Sequence, residues 1–448
     1  MKRRIIYSLL TVVLTVNLII GARLYVRPAH AAETDSAYPS LELFTYVIEK
    51  VRNEYVDGKK LTYQQLVYGA LKGMINTLDP HSEFMEPTQY DELQKDTEGK
   101  FGGLGIMIDM RDGFITVVAP MEDTPGSRAG ILAGDRIIKI DGASAEKLGV
   151  TDAVDKLRGD PGTDVTITTM RPSTGAVRDV KLKREEIKVD MVKDLDNKRD
   201  FPLGPDKIGY VRLVQFGEST ADELESALRK LKGQGMQALI IDLRNNPGGL
   251  LDQAVAVCSK FLHRGVLVVS TEGRNPGPDT KLYNANGSGD ELDGMPIVVL
   301  VNSDSASAAE IVSGCLQDRG RALIMGEKTF GKGSVQSIIP LQDGAALRLT
   351  TAKYYTPSHK VIHGQGITPD SVVPMSDDDE RALLMRQRRP SLDSLSEADR
   401  KLIKENHDEQ LERAYDQLKG VLIFTGRASD AKQASISDAP VKTMSSRQ

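Results

Sequence analysis

The sequence predicts a multidomain, layered α/β protein, with a helical segment in front and a small β-rich domain inserted between that segment and the core. Three observations predict this. Apolar residues recur at helical spacing near the start, short alternating strands broken by Gly and Pro fill about 99–184, and buried-strand runs alternate with helical stretches beyond Asp190. The length of 448 residues fits such a division, because single cores seldom grow beyond about 100 to 200 residues.

In chain order, Lys2, Arg3 and Arg4 precede an apolar run over 5–20, and Ala29-His30-Ala31 supplies a small-x-small cleavage site. Residues 1–31 are therefore expected to be a secretory signal or, if uncleaved, an anchor, although Thr11, Thr15 and Asn17 interrupt a run slightly short of the roughly 20 residues of a membrane span. The protein is expected to be exported to the periplasm, held at the inner membrane if the signal stays. Next comes a helical segment over 35–95, with Leu41, Phe44, Ile48, Val51 and Tyr55 on one face and a second helix over 66–75. Leu78-Asp79-Pro80 ends that pattern, because proline cannot continue a helix.

The β-rich domain is placed at 99–185, with strands expected over 114–118, 136–140 and 165–169. The core follows at 190–375, with buried strands over 208–213, 238–243, 266–269 and 297–301 and helices over 221–231 and 251–262. The remainder, 376–448, opens on Asp377-Asp378-Asp379-Glu380 and carries one helix with Leu411, Tyr415, Leu418 and Leu422 on a face. From Ser429 onward its composition predicts disorder. The apolar helices near both chain ends lie outside the core and predict a homo-oligomer.

Composition excludes several classes. A net charge of -5 argues against a general nucleic-acid binder. Cys258 and Cys315 each sit in apolar runs and read as buried free thiols, and the six histidines form no HExxH pair, so no metal or organic cofactor is expected. The run from Gly326 to Gly333 satisfies GxxxxGK but lacks the Ser or Thr that would hold magnesium in a phosphate-binding loop.

Two constellations carry function. Phe101-Gly102-Gly103-Leu104-Gly105-Ile106 is a glycine-rich turn before a strand, where backbone amides of Gly103, Leu104, Gly105 and Ile106 converge on an anion such as a peptide's terminal carboxylate. With Pro125-Gly126-Ser127-Arg128-Ala129-Gly130-Ile131 and the run from Gly134 to Gly142, it resembles bacterial PDZ domains. In that resemblance the strand from Ile106 pairs with a peptide and a helix over 152–157 forms the other wall; Arg158, at the end of that expected helix, is the candidate contact that reports occupancy to the core.

In the second constellation, Ser303-Asp304-Ser305-Ala306-Ser307-Ala308-Ala309-Glu310 follows a buried strand, and Phe330-Gly331-Lys332-Gly333 lies 25 residues beyond Ser307. Ser307-x-x-Glu310 has the form of a capping box, which sets the hydroxyl at a helix amino terminus with the Ala308 amide facing a developing oxyanion. Ser305 is the rival hydroxyl. No histidine is arranged to serve as base, whereas Lys332 can do so if burial lowers its pKa toward about 7 to 8.

These motifs, with Asp242-Leu243-Arg244-Asn245-Asn246-Pro247-Gly248-Gly249 and Ser334-Val335-Gln336, occur in an order that resembles the carboxy-terminal processing, or tail-specific, serine proteases. The resemblance spans about 41–370 and implies a crotonase-like layered core. It assigns Ser307 as nucleophile, Lys332 as general base, Gln336 as the residue that orients the lysine, and Gly248 or Gly249 with Ala308 as oxyanion donors. A second serine is common in the family where this chain has Ala309. The implied partners are proteins or peptides with free carboxy termini, cleaved near those termini, and an adaptor protein.

Overall fold

The computed structural model describes residues 37–57, 61–121, 124–275, 277–287, 292–388, 397–405 and 407–437. The expected signal or anchor at 1–31 and the end of the tail at 438–448 lie outside the described residues. Two units divide at Thr77 and Leu78. The first holds α1 (Ala37–Glu54) and α2 (Tyr63–Ile75). Thr62 caps α2 through a reciprocal pair of bonds with Gln65, which satisfies two of the orphan amides of the first turn. No residue of α1 is buried, and Leu41, Leu43, Phe44 and Tyr46 are exposed along it.

The second unit begins with β1 (Glu83–Met85) and α3 (Pro87–Glu98), then enters the inserted domain. That domain runs β2 (Lys100–Gly103), β3 (Ile106–Arg111), β4 (Phe114–Pro120), α4 (Pro125–Arg128), β5 (Arg136–Ile140), β6 (Ala143–Ser144), α5 (Val150–Leu157), β7 (Asp164–Arg171), β8 (Ala176–Lys183) and β9 (Glu185–Lys188). Its main sheet has the order β3-β4-β5-β7-β8, closed over Leu104, Ile115, Val117, Ile137, Ala153, Leu157 and Ile167. β2 and β9 pair antiparallel with each other, so the strands by which the chain enters and leaves the domain form a two-stranded stem.

The core continues through β10 (Val192–Lys193), β11 (Ile208–Leu213), α6 (Thr220–Gly233), β12 (Ala238–Asp242), α7 (Leu251–Cys258), β13 (Leu267–Glu272), β14 (Lys281–Asn284) and β15 (Ile297–Val301). After these come α8 (Ala308–Asp318), β16 (Leu323–Gly326), β17 (Ser334–Pro340), β18 (Ala346–Tyr355), β19 (Ser371–Val372), α9 (Asp377–Arg388), α10 (Glu397–Glu405) and α11 (Glu409–Ser437). One sheet has the order β10-β11-β12-β15-β16-β19, parallel from β11 to β19. β11, β12 and β15 are buried along their whole length because both faces of the sheet are covered, and that is why they read as unbroken apolar runs. Leu239, Ile241, Val299 and Val301 pack with α6, α7 and α8, while Ala238, Ile240, Val298 and Leu300 face Leu411, Ala414 and Leu418 of α11. A second sheet, β1-β18-β13-β14 with β17 on β18, completes the core.

The backbone of α11 stays helical through Ser437, past the Ser429 at which composition predicted disorder. Its anchor is an ion cluster in which Arg244 and Asp242 are fully buried and Asp408 is nearly so. Arg244 bonds Asp242 at 2.7 Å and Asp408 at 2.7 Å, and Tyr210 donates to Asp242 at 2.8 Å. Cys258 and Cys315 are buried free thiols.

Candidate active site

The connections after β12, β15 and β16 meet at the carboxyl ends of three neighbouring parallel strands, where α/β sheets place their ligand crevices. β15 delivers Ser307 through a turn built by Ser305 and Asn302. Ser305 is fully buried, its hydroxyl donates to the Leu243 carbonyl at 2.8 Å and it accepts the Asn302 amide at 2.9 Å. This rival hydroxyl is thus committed to joining two strand ends. The Ala306 amide then donates to the Asn246 carbonyl at 2.9 Å, tying the turn to the one after β12.

Ser307 caps α8 with φ 53° and ψ −112°, a conformation that costs a non-glycine residue about 1 to 3 kcal/mol. The expected capping box is only half formed. Glu310 accepts the Ser307 amide at 2.8 Å, but the Glu310 amide donates to the Ser307 carbonyl at 2.9 Å, which leaves the serine hydroxyl outside the cap. Gly248, at φ 96°, passes so close that a Cβ there would lie 2.7 Å from Ser307 Cβ and 2.9 Å from the Ala308 nitrogen.

Among the described residues, the amides of Gly249 and Ala308 donate to no protein acceptor, whereas the Gly248 amide donates to Asn246 Oδ1 at 2.8 Å. Of the two glycines left open by the sequence, only Gly249 keeps a free N–H.

Glu310 is fully buried and reaches across to the segment that carries Lys332. Its carboxylate accepts the Thr329 hydroxyl at 2.6 Å, the Gly331 amide at 2.7 Å and the Lys332 amide at 2.9 Å. Burial pushes its carboxyl above the ordinary range, opposed by those donors. Lys332 is half-buried. Desolvation holds its ammonium below the usual lysine range, the Arg348 charge adds to that, and Glu310 opposes it.

Among the described residues no hydrogen bond joins the side chains of Ser307 and Lys332. Tyr354 of β18 lies near the serine hydroxyl; burial and then the Tyr283 phenol push its own phenol up to about 12, while the Ser307 hydroxyl pulls the other way. Gln336 does not reach the lysine either. Its Nε2 donates to Ser334 Oγ at 2.8 Å and Thr350 Oγ1 at 3.4 Å.

A model of peptidase family S41 matches residues 207–373, and a PDZ-domain model matches 116–171. A carboxy-terminal-processing protease of Bartonella bacilliformis is 43% identical over 377 residues, covering 83% of this chain and 83% of the relative. The chain belongs to this family of serine-type peptidases. A carboxyl-terminal-processing protease of Picosynechococcus sp. is 39% identical over 311 residues, 68% of this chain and 73% of its own. Among solved structures, a photosystem II D1 C-terminal processing protease is 30% identical and covers 74% of this chain and 92% of its own, with a TM-score of 0.44.

The PDZ domain of this family member holds a cavity of about 430 Å³ lined by Gly103, Leu104, Gly105, Ile106, Val154 and Arg158. Among the described residues β3 pairs only with β4, which leaves its other edge open to an added strand, and the amides of Leu104 and Gly105 donate to no protein acceptor. Arg158 lies over the Phe101 ring with its Cζ 4.7 Å from the centroid.

The sequence did not single out Tyr354, a strand residue with no motif around it. It read Glu310 as a local cap, missing the contacts it makes 19 to 22 positions downstream.

Proposed function

We propose that this protease is an endopeptidase in which Ser307 attacks the scissile carbonyl and Lys332 takes its proton. The observation that carries the reading is the strained Ser307 turn flanked by the two unpaired amides of Gly249 and Ala308. As the Oγ–C bond forms, charge moves to the carbonyl oxygen and those amides stabilise it. Collapse breaks the C–N bond, the amine leaves with the proton held by Lys332, and water then hydrolyses the ester through the same lysine. Gln336 orients the lysine once the side chains assemble.

The Leu104–Gly105 loop takes the substrate's terminal carboxylate while its last residues pair with β3, so cleavage falls near the carboxy termini of exported proteins. Occupancy of that groove, reported through Arg158, favours the arrangement in which Lys332 reaches Ser307, because a ligand shifts an equilibrium only by binding one state more tightly. Export to the periplasm, retention by the amino-terminal segment, self-association through the exposed face of α1 and delivery of substrates by an adaptor belong to the same reading.

The test is covalent. A fluorophosphonate probe should add to Ser307, found by peptide mass, and Ser307→Ala and Lys332→Ala should each abolish cleavage with the fold intact. Full activity of Ser307→Ala would overturn the mechanism.

A further inference from the structure

Thr350 sits directly across from Gln336 in the β17–β18 pair, and it is held from behind by the Asp79–Ser82 turn that leads into β1. Asp79 accepts the Thr350 hydroxyl at 3.2 Å and the Ser82 hydroxyl at 2.8 Å. Ser82 Oγ in turn accepts the Thr350 amide at 3.1 Å. Burial pushes the Asp79 carboxyl up, but the hydrogen bonds from Ser82, the His81 amide and Thr350 outweigh it, so the group is an ionised acceptor. An ionised carboxylate accepts only, so the Thr350 proton points at Asp79 and its oxygen lone pairs face the other way. What they receive is Gln336 Nε2, at 3.4 Å, which also donates to Ser334 Oγ. Both amide protons are drawn to one side, and Gln336 Oε1 has no partner among the described residues.

We propose that Asp79 and Thr350 are positioning residues that set which end of the Gln336 amide is offered to Lys332. The polarity runs from the Asp79 carboxylate through the Thr350 hydroxyl to the Gln336 amide nitrogen, leaving the carbonyl oxygen to accept a lysine N–H. A reversed amide would present its own N–H groups to the amine and direct the lysine's lone pair at Gln336 instead of at Ser307. The same turn also places Arg348, which donates to the His81 carbonyl at 3.2 Å and to Glu83 at 2.6 Å. Arg348 is the cation that helps hold Lys332 below the lysine range. The segment leading into the PDZ domain therefore grips the base-bearing sheet at two points.

This inference rests on the assignment of Gln336 as the lysine-orienting residue, and the test separates the two. kcat and KM are measured on an internally quenched peptide with a free carboxy terminus, using the full chain. Thr350→Val should lower kcat by about 10-fold to 100-fold with KM within about 2-fold, as expected for a misplaced catalytic group, and Thr350→Ser should restore it. In a Gln336→Ala background Thr350→Val should change the residual kcat by less than about 2-fold, since residues acting through one another are not additive. Asp79→Asn supplies the same cycle should Thr350→Val fail to fold. An additive loss in the double variant, or wild-type kcat in Thr350→Val, overturns the positioning role while leaving Gln336 in place. Wild-type kcat in Gln336→Ala alone overturns the Gln336 assignment and this inference with it.

Discussion

Ser307 and Lys332, 25 positions apart, donate their backbone amides to the same oxygen of Glu310, at 2.8 Å and 2.9 Å. One buried carboxylate thereby ties the turn that carries Ser307 to the loop that carries Lys332 before either side chain meets the other. Glu310→Gln keeps the shape but brings an NH₂ group against amide and hydroxyl donors. The expected result is a loss in kcat of about 100-fold and a destabilisation of about 1 to 3 kcal/mol, read by peptide cleavage and thermal unfolding.

Gly248→Ala tests the close approach beside the nucleophile. Its Cβ would meet Ser307 Cβ at 2.7 Å and the Ala308 nitrogen at 2.9 Å, and φ 96° adds strain of about 1 to 3 kcal/mol. Displacing either neighbour misaligns the attacking oxygen or the oxyanion donor. Cleavage and probe labelling of Ser307 should both disappear while the PDZ domain still binds a free-carboxylate peptide.

A lysine acting as the proposed base must be neutral to accept a proton, and Lys332 is held below the ordinary 10.5 of lysine, first by burial and then by Arg348. Activity should therefore rise with pH, with a midpoint under 10.5. Arg348→Gln removes a cation that disfavours the ammonium, so the midpoint should move up and activity at pH 7 should fall more than the alkaline plateau. An unshifted midpoint in that variant would assign the lowering to burial alone.

Val154→Arg places a long charged side chain in the cavity between α5 and β3. Peptide affinity, followed by fluorescence anisotropy, should drop by more than about 10-fold, the equivalent of 1.4 kcal/mol. An amidated peptide should bind the wild type about as weakly, since the Leu104 and Gly105 amides lose the carboxylate they would receive.

Much of the core was legible because burial on both faces erases strand alternation, so β11, β12 and β15 announce themselves as apolar runs. Ser307 and Lys332 stand out in the sequence because each sits in a local motif. What the sequence hid is contact at a distance. Asp79 and Thr350 are separated by 271 positions, Arg244 and Asp408 by 164, and no local pattern announces either pair. Ser305 and Ser307 are neighbouring hydroxyls in one run of the sequence, and the hydrogen bonds of Ser305 to Leu243 and Asn302, with the positive φ of Ser307, tell them apart.

Arg244→Leu probes the second of those pairs. It strands the buried carboxylate of Asp242 and releases Asp408, and removing one partner of a buried ion pair costs about 3 to 5 kcal/mol. Calorimetry should show that loss. Limited proteolysis should show earlier cutting within α11.

The stem formed by β2 and β9 brings the two ends of the PDZ domain to neighbouring strands, about 4.8 Å apart in the pairing direction, with Val189 donating to the Gly99 carbonyl at 3.0 Å just below it. To the core, the whole domain is attached as a hairpin loop would be. Such a joint makes the recognition domain a cassette. Another PDZ domain, grafted between Gly99 and Val189, meets the same two anchor points and need not disturb the strands of the core. Evolution and protein engineers alike can then exchange this domain by recombination at two positions, with the strands of the core inherited unchanged.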